Sequence, residues 1–291
     1  YTVEEATYDS FKDIDIALFA GGSISKDFAP HAVKAGAVVI DNSSAFRMDP
    51  EVPLVVPEVN PQAILKHKGI IANPNCSTII MVMALKPIYE LSRIKRVIVS
   101  TYQAVSGAGK EGIDELDNQV REHSEGREMT ANILPSASAE KHYPIAFNLI
   151  PQIDVFCDNL YTKEEMKMIN ETKKIMEDDE MRITATTIRV PVYRSHSESV
   201  NIELEQDVDL DVMRAALAKF PGVTVQDDPA SQEYPMPLYT SEKDDVYVGR
   251  LRKDESCDKS YNLWVVGDQI RKGAALNTLQ IAETMIKNGW I

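Results

Sequence analysis

The hydrophobic pattern of this chain changes period part-way along, and few folds accommodate such a change. Asp13-Ile14-Asp15-Ile16-Ala17-Leu18-Phe19-Ala20 is a short, nearly continuous apolar run that ends in Gly21-Gly22. A helical pattern over 26–35, closed by Gly36, leads to a second run, Ala37-Val38-Val39-Ile40-Asp41. Runs of this kind on either side of a helix predict a βαβ unit of a parallel sheet, whose strand ends (here Asp41-Asn42-Ser43-Ser44) present groups to ligands. From residue 95 onward the pattern alternates instead, over 95–103, 181–192, 198–206, 246–252 and 261–266. Period-two alternation predicts a largely antiparallel or mixed sheet with one covered face.

Between these regimes lie four prolines within residues 50–61 (Pro50, Pro53, Pro57 and Pro61), which read as a wandering connection to the next domain. Helices are predicted after the Thr162-Lys163-Glu164-Glu165 capping box to about residue 176, over 209–220, and over 273–287 ahead of Gly289. The fold class expected is α/β. An incomplete Rossmann-type parallel-sheet domain spans 1–75 and 272–291, and an α+β catalytic and dimerisation domain with a mixed sheet spans 76–271.

A chain of 291 residues with 44% hydrophobic content has enough material for two domains. Its formal charge of −14 argues against nucleic-acid or anionic-membrane partners, which it would repel overall. Cys76, Cys157 and Cys257 form no Cys-x-x-Cys pair and the five histidines are scattered, so neither a disulfide framework nor a metal site is expected. A reducing cytoplasm fits this usage, and the chain shows no run of membrane-span length and no signal segment.

Within Asn73-Pro74-Asn75-Cys76-Ser77-Thr78, a breaker pair precedes the apolar run Ile79-Ile80-Met81-Val82-Met83-Ala84-Leu85. This places a thiol at a helix start, where free N–H groups and the helix dipole favour a thiolate, and the expectation is a primed nucleophile. The competing reading is a buried structural cysteine. Tyr102-Gln103-Ala104-Val105-Ser106-Gly107-Ala108-Gly109 ends a strand in a small-residue loop open to close backbone approach. Arg189-Val190-Pro191-Val192-Tyr193-Arg194-Ser195-His196-Ser197-Glu198-Ser199 carries an arginine suited to a carboxylate, and a histidine expected in a polar loop. Arg47, Glu164 and Lys167 are candidates that spacing alone leaves as surface residues.

In this order the motifs resemble those of the aspartate-β-semialdehyde dehydrogenases. The resemblance rests on Asp41-Asn42-Ser43-Ser44-Ala45-Phe46-Arg47, Val55-Val56-Pro57-Glu58-Val59-Asn60, the Cys76 motif, the 100–109 segment, Arg189-Val190-Pro191-Val192 with His196-Ser197-Glu198-Ser199-Val200, and Val266-Gly267-Asp268-Gln269. It implies NADPH-dependent reduction of L-aspartyl-4-phosphate to the semialdehyde through a thioester on Cys76, toward lysine, methionine, threonine and isoleucine. His196 would be general acid and base, and Gln103 would orient the acyl group. Arg189 would bind the substrate carboxylate and Glu164 its ammonium, while Arg47, Asn75 and Lys167 would hold phosphate. Ser106, Gly107, Gln269 and Asn277 would contact NADP(H), in a homodimer or homotetramer.

The family's opening strand and glycine-rich turn fall outside this sequence, so the expectation is a chain short of about fifty residues with weakened cofactor binding. The 122–130 loop and Ser195 look like local variations. Two other readings stay open: an N-acetylglutamyl-phosphate reductase, which needs no acidic partner such as Glu164, and an inactive truncated paralogue serving as a dimerising scaffold.

Overall fold

The computed structural model describes residues 2–291. Strand β1 (Ile16–Phe19), helix α1 (Ser25–Lys34) and strand β2 (Val38–Asp41) form the expected βαβ unit, with β1 and β2 parallel. The proline-rich connection is more ordered than expected. Leu54, Val55 and Val56 are buried, Pro61–Lys66 forms a 3-10 helix, and Ile70–Ala72 is a third parallel strand, β3, beside β2. Three residues are too few for a period to show in the sequence.

Helix α2 (Cys76–Tyr89) is apolar on all sides and buried over most of its length, as expected of a helix in the centre of a domain. Strand β4 (Ile94–Gln103) follows, then helix α3 (Lys110–Ser124), which the hydrophobic pattern did not reveal. The remaining elements are α4 (Lys163–Met176), β5 (Arg182–Arg189), β6 (His196–Leu204), α5 (Leu210–Lys219), β7 (Val223–Val225), α6 (Pro237–Thr240), β8 (Val246–Lys253), β9 (Ser260–Gly267) and α7 (Leu276–Asn288). The Thr162/Glu165 capping box is formed in both directions at the start of α4.

The second sheet is mixed, with strand order β5-β4-β6-β9-β8-β7. Val97 and Val99 of β4, Val200 and Ile202 of β6 and Leu263 and Val265 of β9 point to one face, where they join Ile79, Ile80 and Met83 of α2 and Met168 of α4 in the main core. The other face carries Ser100, Tyr102, Ser199, Asn201 and Trp264, which are at least partly exposed. Ile281 and Met285 of α7 return to the first sheet and bury against Ile40, Val55, Ile64 and Ile71. A π-helical turn, Arg271–Ala275, joins β9 to α7. His196 is not in a loop: it is the first residue of β6, paired with Gly267 of β9, and it is fully buried.

Candidate active site

Cys76 is the first residue of α2, and Asn75 is its N-cap, accepting the Thr78 N–H at 3.1 Å. The start of α2 is held from α4. Glu171 accepts the Asn75 backbone N–H at 2.6 Å, and Glu164 accepts the Asn75 side-chain amide at 2.9 Å. On the other side, Gly273 of the π-helical turn lies against the cysteine, so that a Cβ there would stand 3.0 Å from Cys76 Cβ. Any larger residue would push the turn off the cysteine.

The thiol does not have the pKa its helix position suggests. Burial and then the Glu164 carboxylate push it up to about 12, against Arg47, the Ser77 N–H and Arg189. A helix start contributes about 0.3–1 kcal/mol, less than one pKa unit, and is outweighed. Cys76 nevertheless retains partial surface exposure, which is what a nucleophile requires.

Glu164 is the hub of the polar groups. It also accepts from Gln103 Nε2 at 3.3 Å and from Lys167 Nζ at 3.2 Å. Gln103, at the end of β4, donates to Ser77 Oγ at 2.6 Å as well. Burial works against the Lys167 ammonium, but Glu164 and Asp154 hold its pKa above the ordinary value. Arg47 reaches Glu171 at 3.3 Å and the Asn42 carbonyl at 3.0 Å, and one of its guanidinium nitrogens, Nε, is buried without a partner. Arg47, Asn75, Gln103, Glu164 and Lys167 thus form one connected polar cluster at the start of α2 beside Cys76.

Arg189, at the end of β5, is buried, and donates to the Ala104 carbonyl at 2.7 Å and the Pro135 carbonyl at 3.3 Å. His196 Nδ1 accepts the Ala104 N–H at 3.0 Å, while Nε2 is buried with no partner among the described residues. Burial first, and then the Arg189 charge, hold the imidazole pKa well below its usual value. Gly107 packs directly against both side chains: a Cβ there would come within 2.8 Å of Arg189 Nη1 and 3.5 Å of His196 Nε2, so the close approach requires glycine. Gln269 ties this loop to the turn before β6, donating to Ser106 Oγ and accepting the Ser195 N–H.

Asn277 is set apart from the other candidates. It is fully buried, both amide hydrogens are engaged by the Val55 carbonyl and Asn73 Oδ1, and its oxygen accepts from Lys272. Its side chain braces α7 against β3 and has no hydrogen left for a cofactor. Glu171 was missed by the sequence reading, although Glu164, Lys167 and Glu171 share one helix face at spacings of three and four. Ser77 and the Ala104 peptide were missed too. A backbone amide carries no sequence signal.

Two family models cover most of the chain: the semialdehyde dehydrogenase NAD binding domain matches residues 1–67, and the semialdehyde dehydrogenase dimerisation domain matches residues 85–272. The aspartate-semialdehyde dehydrogenase of Aquifex aeolicus is 55% identical over 295 aligned positions, spanning 100% of this chain and 85% of that protein. The chain belongs to the aspartate-semialdehyde dehydrogenase family. It is therefore an oxidoreductase of aspartate-family amino-acid biosynthesis. Two crystal structures of aspartate-semialdehyde dehydrogenases agree. Enzyme II of Vibrio cholerae, complexed with ASA, superposes with a TM-score of 0.88 at 47% identity, covering 94% of this chain and 80% of that one. The enzyme of Candida albicans with NADP gives 0.72 at 25% identity, covering 95% and 78%. Among the described residues no helix is long and apolar enough to cross a membrane.

Proposed function

We propose that this aspartate-semialdehyde dehydrogenase reduces L-aspartyl-4-phosphate to L-aspartate 4-semialdehyde with NADPH, through a thioester on Cys76. The observation that carries the reading is the convergence of opposite charges on one partly accessible thiol. Arg189 suits the substrate α-carboxylate, for which its planar fork is matched. Glu164 suits the α-ammonium. Arg47, Asn75 and Lys167 supply positive or donor groups for the phosphate, on a protein whose net charge is −14. Gln103 suits the acyl group, whose oxygen would take over the amide hydrogen now shared with Glu164 at 3.3 Å.

The thioester is favoured because thiolate is both a strong nucleophile and a good leaving group. A nicotinamide cofactor, when bound, supplies the hydride that converts the thioester carbon to an aldehyde. Ser106 and Gly107, in the loop that Gln269 ties down beside His196 and Arg189, suit contacts to its nicotinamide. A hollow at the C-terminal end of β1, lined by Phe19, Gly21, Ile24 and Phe28, fits an apolar ring at the other end of a dinucleotide. The Candida albicans relative was solved with NADP, which favours that form.

The acidic partner at Glu164 favours a free amino group on the substrate over an acylated one. A homodimer formed through the open face of the second sheet fits the dimerisation-domain match, and a reducing cytoplasm suits the three free cysteines. The organisation into 1–75 with 272–291 and 76–271 accords with α7 packing on the first sheet. Cys76→Ser is expected to abolish phosphate-dependent oxidation of aspartate semialdehyde by NADP. Substantial remaining turnover would refute the thioester route, and no turnover by the unaltered chain would favour the inactive scaffold.

A further inference from the structure

We propose that Glu171 and Lys174 of α4 are positioning residues for the phosphate of the substrate: they fix Arg47, by its side chain and its backbone, in one unit with the start of the Cys76 helix. This rests on the Cys76 thioester reading and adds to it two residues that the substrate need not touch. Glu171 is 1% exposed, and its two oxygens serve two distant parts of the chain. One accepts from Arg47 Nη1 at 3.3 Å, and the other accepts the Asn75 N–H at 2.6 Å. Arg47 lies in the segment after β2 of the first sheet, whereas Asn75 immediately precedes Cys76. A single buried carboxylate therefore sets the cation against the helix that carries the sulfur.

Lys174 completes the hold. Its ammonium donates to the carbonyls of Arg47, Asp49 and Val52 at 2.8, 2.6 and 2.8 Å, closing the loop on which Arg47 rides. Glu164, Lys167, Glu171 and Lys174 follow one another at spacings of three, four and three residues. One stripe of α4 thus carries both the groups proposed to meet the substrate and the groups that fix Arg47. Glu171 commits its charge within the protein. Burial pushes its pKa up, against the Arg47 cation and the Asn75 N–H, which favour the carboxylate.

Arg47 still has hydrogens to give. Its Nη2 donates to the Asn42 carbonyl at 3.0 Å, and its Nε is buried with no partner among the described residues. A guanidinium carries five N–H groups in one plane, and a phosphate takes two of them at once when that plane is held. With Glu171 and the Asn42 carbonyl holding two corners, an arriving phosphate meets a cation that needs no reorientation. As a brace alone the ion pair would be a poor choice, because desolvating both charges offsets most of what their attraction gains. Its contribution is the orientation of the guanidinium relative to Cys76.

Acylation of Cys76 without cofactor, followed by intact mass, tests this with two donors: aspartyl phosphate, and a nitrophenyl ester of aspartate at the same side-chain carboxyl, which has no phosphate. Glu171→Gln keeps an acceptor for the Asn75 N–H and removes the charge that holds Arg47. Its acylation rate at low donor concentration should fall about 30- to 100-fold with aspartyl phosphate, and at least about tenfold less with the ester. Added to Arg47→Gln, the same change should cost less than about threefold more, because Glu171 acts through that arginine. Lys174→Gln, at the partly exposed end of the stripe, should show the same selectivity with a loss of about three- to tenfold, and it decides the matter if the Glu171 variant does not fold. Equal losses with the two donors, or full additivity with Arg47→Gln, overturn the proposal. Absence of acylation of the parent by either donor would instead overturn the Cys76 reading.

Discussion

Arg189 and His196 hold opposite ends of one residue: Arg189 Nη1 donates to the Ala104 carbonyl, and His196 Nδ1 accepts the Ala104 N–H. The carboxylate binding proposed for Arg189 and the orientation of the imidazole are therefore mechanically linked. A lysine at 189 keeps the charge but loses the fork. Arg189→Lys is expected to raise KM for the semialdehyde by about 10- to 100-fold and also to lower kcat, because the Ala104 contact loosens. Steady-state kinetics giving a higher KM with unchanged kcat would show that the two functions are separate.

The Glu164 carboxylate is the largest electrostatic contribution raising the Cys76 pKa, after burial. Glu164→Gln removes that negative charge, so the thiol pKa should fall and alkylation by iodoacetamide at a fixed pH near 8 should quicken severalfold. The same change should weaken substrate binding, since the ammonium loses its partner. Slower alkylation, or an unmoved pH midpoint, would contradict the assignment of Glu164 to the thiol's field.

Glu198 is fully buried, neither carboxylate oxygen has a partner, and burial holds its pKa well above the usual range. A carboxyl whose folded pKa exceeds its unfolded value leaves stability intact below about pH 4.3 and drains it as pH rises toward the folded pKa. Glu198→Met removes the unpaired oxygens at similar volume, and should raise stability by about 1–3 kcal/mol near pH 8. The advantage should shrink toward pH 4. Thermal unfolding against pH checks both the sign and the window.

Lys272 is almost entirely buried, and its three N–H bonds go to Glu58, Asn277 and Gln280. It fastens the turn that presses Gly273 onto Cys76 to the segment leading into the 3-10 helix. Lys272→Met leaves Glu58 without its cation, and should cost about 3–5 kcal/mol. Adding Glu58→Gln should recover part of that loss. Denaturant unfolding of the single and double variants measures it, and additive effects would contradict the coupling.

The start of α2 and the capping box of α4 were legible because each couples a polar capping residue to an apolar or charged pattern. Helix α3 was not, for a physical reason: its buried face includes Glu115 and Gln119, which satisfy the backbone N–H groups of residues 132–134 and of Ile145 and Ala146. Polar residues turned inward erase the apolar stripe on which periodicity depends. The same effect placed His196 in a loop, since the residues that open β6 are polar and buried for chemistry and not for packing. The residues around Cys76 could be named from the motif order. That the thiol's surroundings raise its pKa, against the expectation from a helix start, follows only from the packing of Glu164 and the walls around the sulfur.

The central claim is that the substrate becomes covalently attached to Cys76. Mixing the protein with aspartyl phosphate in the absence of cofactor, quenching in acid and mapping the adduct by peptide mass spectrometry tests this directly. The expected product is one aspartyl thioester on the peptide containing Cys76, with phosphate released in equal amount, and none in Cys76→Ser. An adduct confined to Cys157 or Cys257, or phosphate release that persists in Cys76→Ser, would contradict it.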